Sequence, residues 1–349
     1  MSAKRHRKPG APRSVTTLLH PDSESYVMNS TERTSASFIR WVAVSCFTLV
    51  LAVPGWAEAQ SRFLGIVVFG TSLSDPGNAF VLVGDAGKPP DFMLNPFLIP
   101  GAPYAKGGHH FSNGATWVEQ FARSVGLSGS ARAALADPNA TNYAVGGARA
   151  YNDGINFNLT RQVDTFLARS GNVASVQDLF VIEMGSNDIR DAFAVYAVGG
   201  NGGPILTQAL GAIAANIQRL YVAGAREFLV WAAPNVALTP ALRSLPPAAQ
   251  ALATQLTQVF DNNLTAVLAQ LSANLPGTSF ARLDAYQLLN AIVADPAAFD
   301  LTNVTDACVT PNVVPFSCHH ADEFLFWDGI HPTKAGHAIL ADEAARAVQ

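Results

Sequence analysis

A chain of 349 residues, 49% apolar and 14% charged, can bury a large core as one large domain or two smaller ones, and it shows no repeat or low-complexity tract. Its formal charge of −4 becomes −7 once residues 1–59 are set aside, leaving 15 basic against 22 acidic residues. Such an acidic chain has no electrostatic footprint for nucleic acid, so nucleic acid is excluded as a partner.

Residues 1–27 are polar and basic, with Lys4, Arg5, Arg7, Lys8 and Arg13. Arg33 and Arg40 precede an apolar run over 41–53, which Pro54-Gly55 ends and Ala57-Glu58-Ala59 follows. A positive flank, a short apolar stretch and A-x-A make a secretory signal, and the run is too short to span a bilayer. Cleavage is expected after Ala59, giving a secreted or periplasmic protein with a single domain over 60–349 and no transmembrane segment. Met28 is a plausible functional start, because residues 1–27 lengthen the basic region without helping it.

In the mature part, 63–69 reads as a buried strand, halted by the Gly-rich turn that carries Ser72. Asn113 precedes Trp117, Val118, Phe121 and Val125, spaced as one helix face. A short strand over 142–145 enters Gly146-Gly147, and Thr160 is placed to cap a helix that ends at Gly171. The strand 179–184 leads to a loop, Gly185-Ser186-Asn187-Asp188. Leu206, Leu210, Ile213, Ile217 and Leu220 predict a long helix ending near Gly224, followed by a strand over 228–232. A longer helix opens at Pro246-Pro247 and stops at Pro276-Gly277. A strand over 279–283 follows, and a helix from about Thr333 closes the chain. Strands separated by helices of this length pair in parallel with helices on both faces, as one doubly wound α/β domain. Ligand sites in such sheets lie at the carboxyl ends of the strands.

Four blocks converge on that edge: GTSLSDPGN at 70–78, NYAVGG at 142–147, GSND at 185–188 and WDGIHP at 327–332. Ser72 offers a hydroxyl nucleophile. Asp328 and His331 stand three residues apart, so the carboxylate can hold one imidazole nitrogen while the other faces the serine. The Ser72 and Gly147 backbone N–H groups and the Asn187 side chain are candidate donors for an oxyanion hole. Singly, each block is also an ordinary turn; their order along the sheet makes them one site.

The blocks resemble those of the GDSL or SGNH hydrolase family, whose pattern Ser72, Gly147, Asn187, Asp328 and His331 match. HFSNGATWVEQFA at 110–122, LTNVTDAC at 301–308 and FLFWDGIHPTKAGH at 324–337 look like its plant-type lipase branch. The resemblance implies a flavodoxin-like three-layer α/β/α fold and hydrolysis of acyl esters without metal or other cofactor. The α/β-hydrolase motif G-x-S-x-G is absent. Where the family carries Asp before its serine, this chain has Thr71, which is expected to leave activity in place; Thr71→Asp is expected to change the rate modestly.

The reading is therefore a secreted serine esterase or lipase acting on an acyl-ester or lipid substrate. Its alternatives are an acyltransferase on the same site and a non-catalytic lipid- or glycan-binding protein. Phe92, Met93, Leu94, Phe97, Leu98 and Ile99 are candidates for an acyl pocket or lid, with plain core packing as the alternative, and 196–204 is a candidate mobile loop. Cys308 and Cys318, the even pair left after the signal, read as a disulfide in an oxidising compartment, with two unpaired thiols as the alternative. The pairs His109-His110 and His319-His320 lack metal-ligand spacing, so no metal is expected.

Overall fold

The computed structural model describes residues 62–83, 94–104, 108–309 and 316–349. The expected signal, its cleavage after Ala59 and the 59/60 domain boundary lie outside them.

Four strands form a parallel sheet in the order β1 (Gly65–Phe69), β2 (Asp178–Ile182), β3 (Glu227–Ala232) and β4 (Ser279–Asp284). The stretch around Asn142 adds to the free side of β1: the Tyr143 N–H donates to Val68 O at 2.8 Å and the Val145 N–H to Gly70 O at 3.1 Å. The chain thus leaves β1 toward one side and comes back on the other, which opens a crevice at the carboxyl end of β1. Nine helices are described: α1 (Asn78–Val83), α2 (Trp117–Ser124), α3 (Leu159–Arg169), α4 (Ser186–Ala197), α5 (Gly203–Ala223), α6 (Pro240–Arg243), α7 (Pro247–Asn274), α8 (Ala285–Ala294) and α9 (Lys334–Ala347).

Strand side chains alternate between two cores, as period-two geometry requires. Val67, Phe69, Phe180, Ile182, Phe228 and Val230 pack with α3, α4, α5 and α7. Ile66, Val68, Leu179, Val181, Leu229 and Trp231 pack with α2, α8 and α9. The result is a three-layer α/β/α domain. Each large side chain buried this way contributes about 1.5–3 kcal/mol of hydrophobic free energy.

Helix starts differ from the sequence expectation where two candidate caps compete. Thr116, and not Asn113, caps α2: its N–H and Oγ1 both donate to Glu119 Oε2 at 2.8 Å, a capping-box arrangement. Asn113 instead accepts the Lys334 N–H at 2.6 Å, at the start of α9. Asn158 precedes α3 in place of Thr160, and its Oδ1 accepts from the Arg149 N–H at 2.9 Å. The segment expected as a loop after β2 is helical from Ser186, which shortens the candidate mobile loop to 198–202.

Behind the final loop lies a small third core of Leu94, Tyr104, Cys308, Val309, Phe316 and Trp327. A disulfide joins Cys308 to Cys318, with Cα atoms 5.6 Å apart. Beside it, β5 (Asn303–Ala307) pairs in parallel with β6 (Phe324–Phe326).

Candidate active site

Ser72 stands three residues past β1 in a tight turn and not at a helix start, since α1 begins only at Asn78. In that turn the Ser74 N–H donates to Thr71 O at 3.1 Å. Asp75 ties the turn to the second block: it accepts from the N–H groups of Gly77, Asn78 and Ala79 at 2.8, 2.6 and 3.0 Å, and from Gly146 at 2.7 Å. Burial pushes the Asp75 carboxyl up to about 6, against the lowering by those four N–H groups. Asn78 adds a second tie, donating from Nδ2 to Asn142 O at 2.8 Å and Ala144 O at 2.9 Å. From sequence, Asp75 closes a weak G-x-S-x-x-D pattern with no role of its own, and Asn78 carries no signal beyond ordinary turn chemistry.

Ser72, His331 and Asp328 come together as a hydrogen-bonded row. Ser72 Oγ lies 2.9 Å from His331 Nε2, and His331 Nδ1 lies 2.8 Å from Asp328 Oδ2. Asp328 is fully buried. Its Oδ1 accepts the Ile330 and His331 N–H groups at 2.9 and 2.8 Å, so the D-x-x-H turn holds its own carboxylate in place. Gly329 makes that turn possible: a Cβ there would strike the Phe97 carbonyl, and its N–H donates to Leu98 O at 2.9 Å. Leu94 and Leu98 thus pack behind the Asp328 turn, the Phe97 side chain is exposed, and neither these three nor Ile99 lines the cleft. Phe92 and Met93 lie outside the described residues.

Two further groups stand close to this row, and the first of them, Tyr104, had no signal in the sequence. The Tyr104 hydroxyl, buried against the rings of Phe316 and Trp327, donates to Asp328 Oδ2 at 2.9 Å. His337 is buried on α9, and its pKa is lowered to about 3, first by burial and then by His331 and His110. It therefore stays neutral and places no second positive charge near His331.

Asn187 lies in the first turn of α4 and donates from Nδ2 to Ala148 O at 2.8 Å. An amide nitrogen carries two hydrogens, so one is left toward the cleft. Gly147 has φ +80°, a conformation that favours glycine, and lies outside the cleft wall beside Ala148. Among the described residues, neither the Ser72 nor the Gly147 N–H donates to a protein acceptor, whereas the Gly146 N–H is taken by Asp75. The second and third blocks are stitched together. The Ala150 and Tyr151 N–H groups donate to Asp188 Oδ1 at 3.0 and 3.1 Å, and Arg149 meets Asp191 through Nε and Nη2 at 2.8 and 3.0 Å.

Ser72, Asn187 and His331 line one cleft. A larger open groove between α5 and α7 has Tyr196 as its one titratable group, so size does not mark the site. The paired histidines are engaged separately: the His109 ring stacks on Phe80 at 3.6 Å, and His110 Nε2 lies 2.8 Å from Glu119.

The chain is similar to several known proteins. The family described as GDSL-like Lipase/Acylhydrolase matches residues 66–344. GDSL esterase/lipase At1g71691 of Arabidopsis thaliana is 27% identical over 80% of this chain and 80% of its own length. GDSL esterase/lipase At1g73610 of the same plant is 31% identical, but over 36% of this chain and 37% of its own length. Esterase EstA of Pseudomonas aeruginosa is 29% identical over 81% of this chain, a match that spans 46% of EstA. Among solved structures, the acetylxylan esterase Axe2 of Geobacillus stearothermophilus aligns with 83% of this chain at 15% identity and a TM-score of 0.38.

Proposed function

The chain belongs to the GDSL-like lipase/acylhydrolase family, and from that premise we propose that it hydrolyses carboxylic acyl esters as a serine esterase or lipase, through a covalent acyl-enzyme on Ser72. The observation that carries this reading is the row from Ser72 Oγ through His331 to buried Asp328, at 2.9 and 2.8 Å. His331 Nε2 takes the Ser72 proton as Oγ bonds to the ester carbonyl carbon. The resulting oxyanion is held by the Ser72 and Gly147 N–H groups and the Asn187 amide. Collapse breaks the bond to the alcohol, which leaves with the proton from His331. Water then repeats the sequence, giving up a proton to His331 and releasing the carboxylic acid from Ser72. Asp328 keeps the imidazole oriented and stabilises its charged form.

Ser72→Ala is expected to abolish hydrolysis of 4-nitrophenyl esters while leaving the thermal melt in place; hydrolysis surviving in that folded variant would end the mechanism. The same acyl-enzyme can pass its acyl group to an alcohol in place of water, and transesterified product formed with added glycerol would mark an acyltransferase. A lipid- or glycan-binding protein without catalysis has no use for an aligned serine, imidazole and carboxylate.

Secretion to the periplasm or the exterior is part of the proposal. It rests on the basic flank, the apolar run and A-x-A before residue 60, and it agrees with a disulfide, which persists in oxidising compartments.

A further inference from the structure

Beside the cleft at Ser72 lies a second compartment, with Leu73, Pro234, Thr239 and Ile330 shared between the two walls. Leu73 follows the nucleophile and Ile330 precedes His331, so the shared wall lies beside the reacting residues. Beyond it, the wall is buried hydrocarbon: Leu288, Leu289 and Ile292 of α8, Leu325 of β6, Leu340 of α9, and the indole of Trp231. No charged side chain lines it. The Trp231 N–H, buried in that wall, has no hydrogen-bond partner among the described residues.

The other part of the cleft has opposite chemistry. Arg190 follows Asn187 by three residues on α4, the spacing that puts two side chains on one helix face. It lines the cleft but not the inner compartment, and apart from His331 it is the one basic side chain in that wall, which holds no carboxylate. Its neighbour Asp191 is already engaged by Arg149. No hydrogen bond to the Arg190 guanidinium is formed among the described residues, and its pKa is lowered, first by burial and then by the Arg149 charge. A half-buried guanidinium with five N–H donors and no acceptor is a subsite for an anion.

Resting on the reading above, we propose that the substrate is an ester of a linear aliphatic acid whose alcohol portion carries an anionic group: the acyl chain enters the inner compartment and the anion meets Arg190. The orientation follows from the chemistry. The anionic alcohol portion belongs on the side of Arg190, which lines the cleft alone. The acyl group stays on Ser72, and its hydrocarbon chain matches the apolar wall of the second compartment. A phosphate monoester on glycerol satisfies the anionic requirement with a bidentate partner for Arg190.

Two substrate pairs test the proposal. Between 4-nitrophenyl decanoate and acetate, Leu289→Phe fills the compartment and is expected to lower the decanoyl-to-acetyl ratio of kcat/KM about tenfold or more. Leu288→Ala enlarges the space and is expected to raise kcat/KM for 4-nitrophenyl esters longer than decanoate relative to acetate. Between 1-decanoylglycerol 3-phosphate and 1-decanoylglycerol, the wild type is expected to favour the phosphate about tenfold, and Arg190→Gln to remove that preference. Alkyl acetates of rising alcohol length check the orientation: if Leu289→Phe acts on that series and not on the acyl series, the assignment is reversed and the proposal fails. Unchanged ratios in variants with wild-type melting curves, or a wild type indifferent to the phosphate, overturn it. A wild type that hydrolyses none of these esters sinks the esterase reading instead. In that case a shift of the Ser72→Ala melting temperature by decanoate still reads the compartment, and its absence there ends the proposal.

Discussion

Glu183 stands directly under the nucleophile turn, one residue past β2. It is fully buried and accepts from the Thr71 N–H at 2.8 Å and from Thr71 Oγ1 at 3.0 Å to both carboxylate oxygens. The carboxylate missing from position 71 is therefore present across the hydrogen bond, just past the end of the neighbouring strand. This changes the expectation for Thr71→Asp, which looked modest from sequence. A second carboxylate would press against the first in a dry site, where like charges cannot both ionise. Thr71→Asp is expected to lower ester kcat/KM at least about tenfold and to depress the melting temperature, and Thr71→Asp with Glu183→Gln to recover most of both. Burial also pushes the Glu183 carboxyl from 4.5 up to about 7. As pH rises through that interval, the unfolded chain releases this proton before the folded one does, so the folded state loses stability. Glu183→Gln removes that titration. Its stability relative to the wild type should climb between about pH 4.5 and 7, by up to about 3 kcal/mol, and stay level above, as urea unfolding at pH 4, 6 and 8 would record. Tyr104 acts through Asp328, so Tyr104→Phe should cost about 1 kcal/mol of stability and lower kcat more than it raises KM. An equal change in every ester's KM with constant kcat would contradict that role.

At the scale of elements, the strands and the long helices were legible because apolar runs and helical spacing are written directly into the residues. Leu206 to Leu220 gives α5, and the Pro-Pro start and Pro-Gly stop give α7. What escaped was decided by contacts between distant segments. Helix α4 begins one residue past Gly185, and a G-S-N-D tetrapeptide read alone has the composition of a loop. The pair β5 and β6 is too short for a periodic signal, and the support of Asp328 by residues 94–104 depends on a docking that no local pattern announces. The disulfide belongs to that support, since Cys308 and Phe316 share the small core with Tyr104 and Trp327. Replacing both cysteines by serine should lower unfolding free energy by about 2–3 kcal/mol, the scale for so short a closed loop. It should reduce activity through the Asp328 side while Ser72 still reacts with a small phosphonylating probe. Gly329→Ala, which drives a methyl group into the Phe97 carbonyl, should be worse than the double cysteine change in both respects.

Across the whole molecule, the three-layer arrangement follows from strands whose two faces are both apolar and from helices long enough to cross between parallel strands. That pattern also placed the candidate residues at one sheet edge before any distance was known. Sequence named Ser72, Asn187, Asp328 and His331, because a motif records residue identity and order. It gave no role to Asp75 and was silent on Glu183, Tyr104 and Arg190, whose roles depend on which neighbour each one meets. The most direct test of the site is reaction with a fluorophosphonate probe, followed by mass mapping of the modified peptide. One equivalent is predicted on Ser72, with labelling slowed by orders of magnitude in His331→Ala and absent in Ser72→Ala. Modification at another serine, or equal labelling rates with and without His331, would contradict a nucleophile activated by the His331–Asp328 pair.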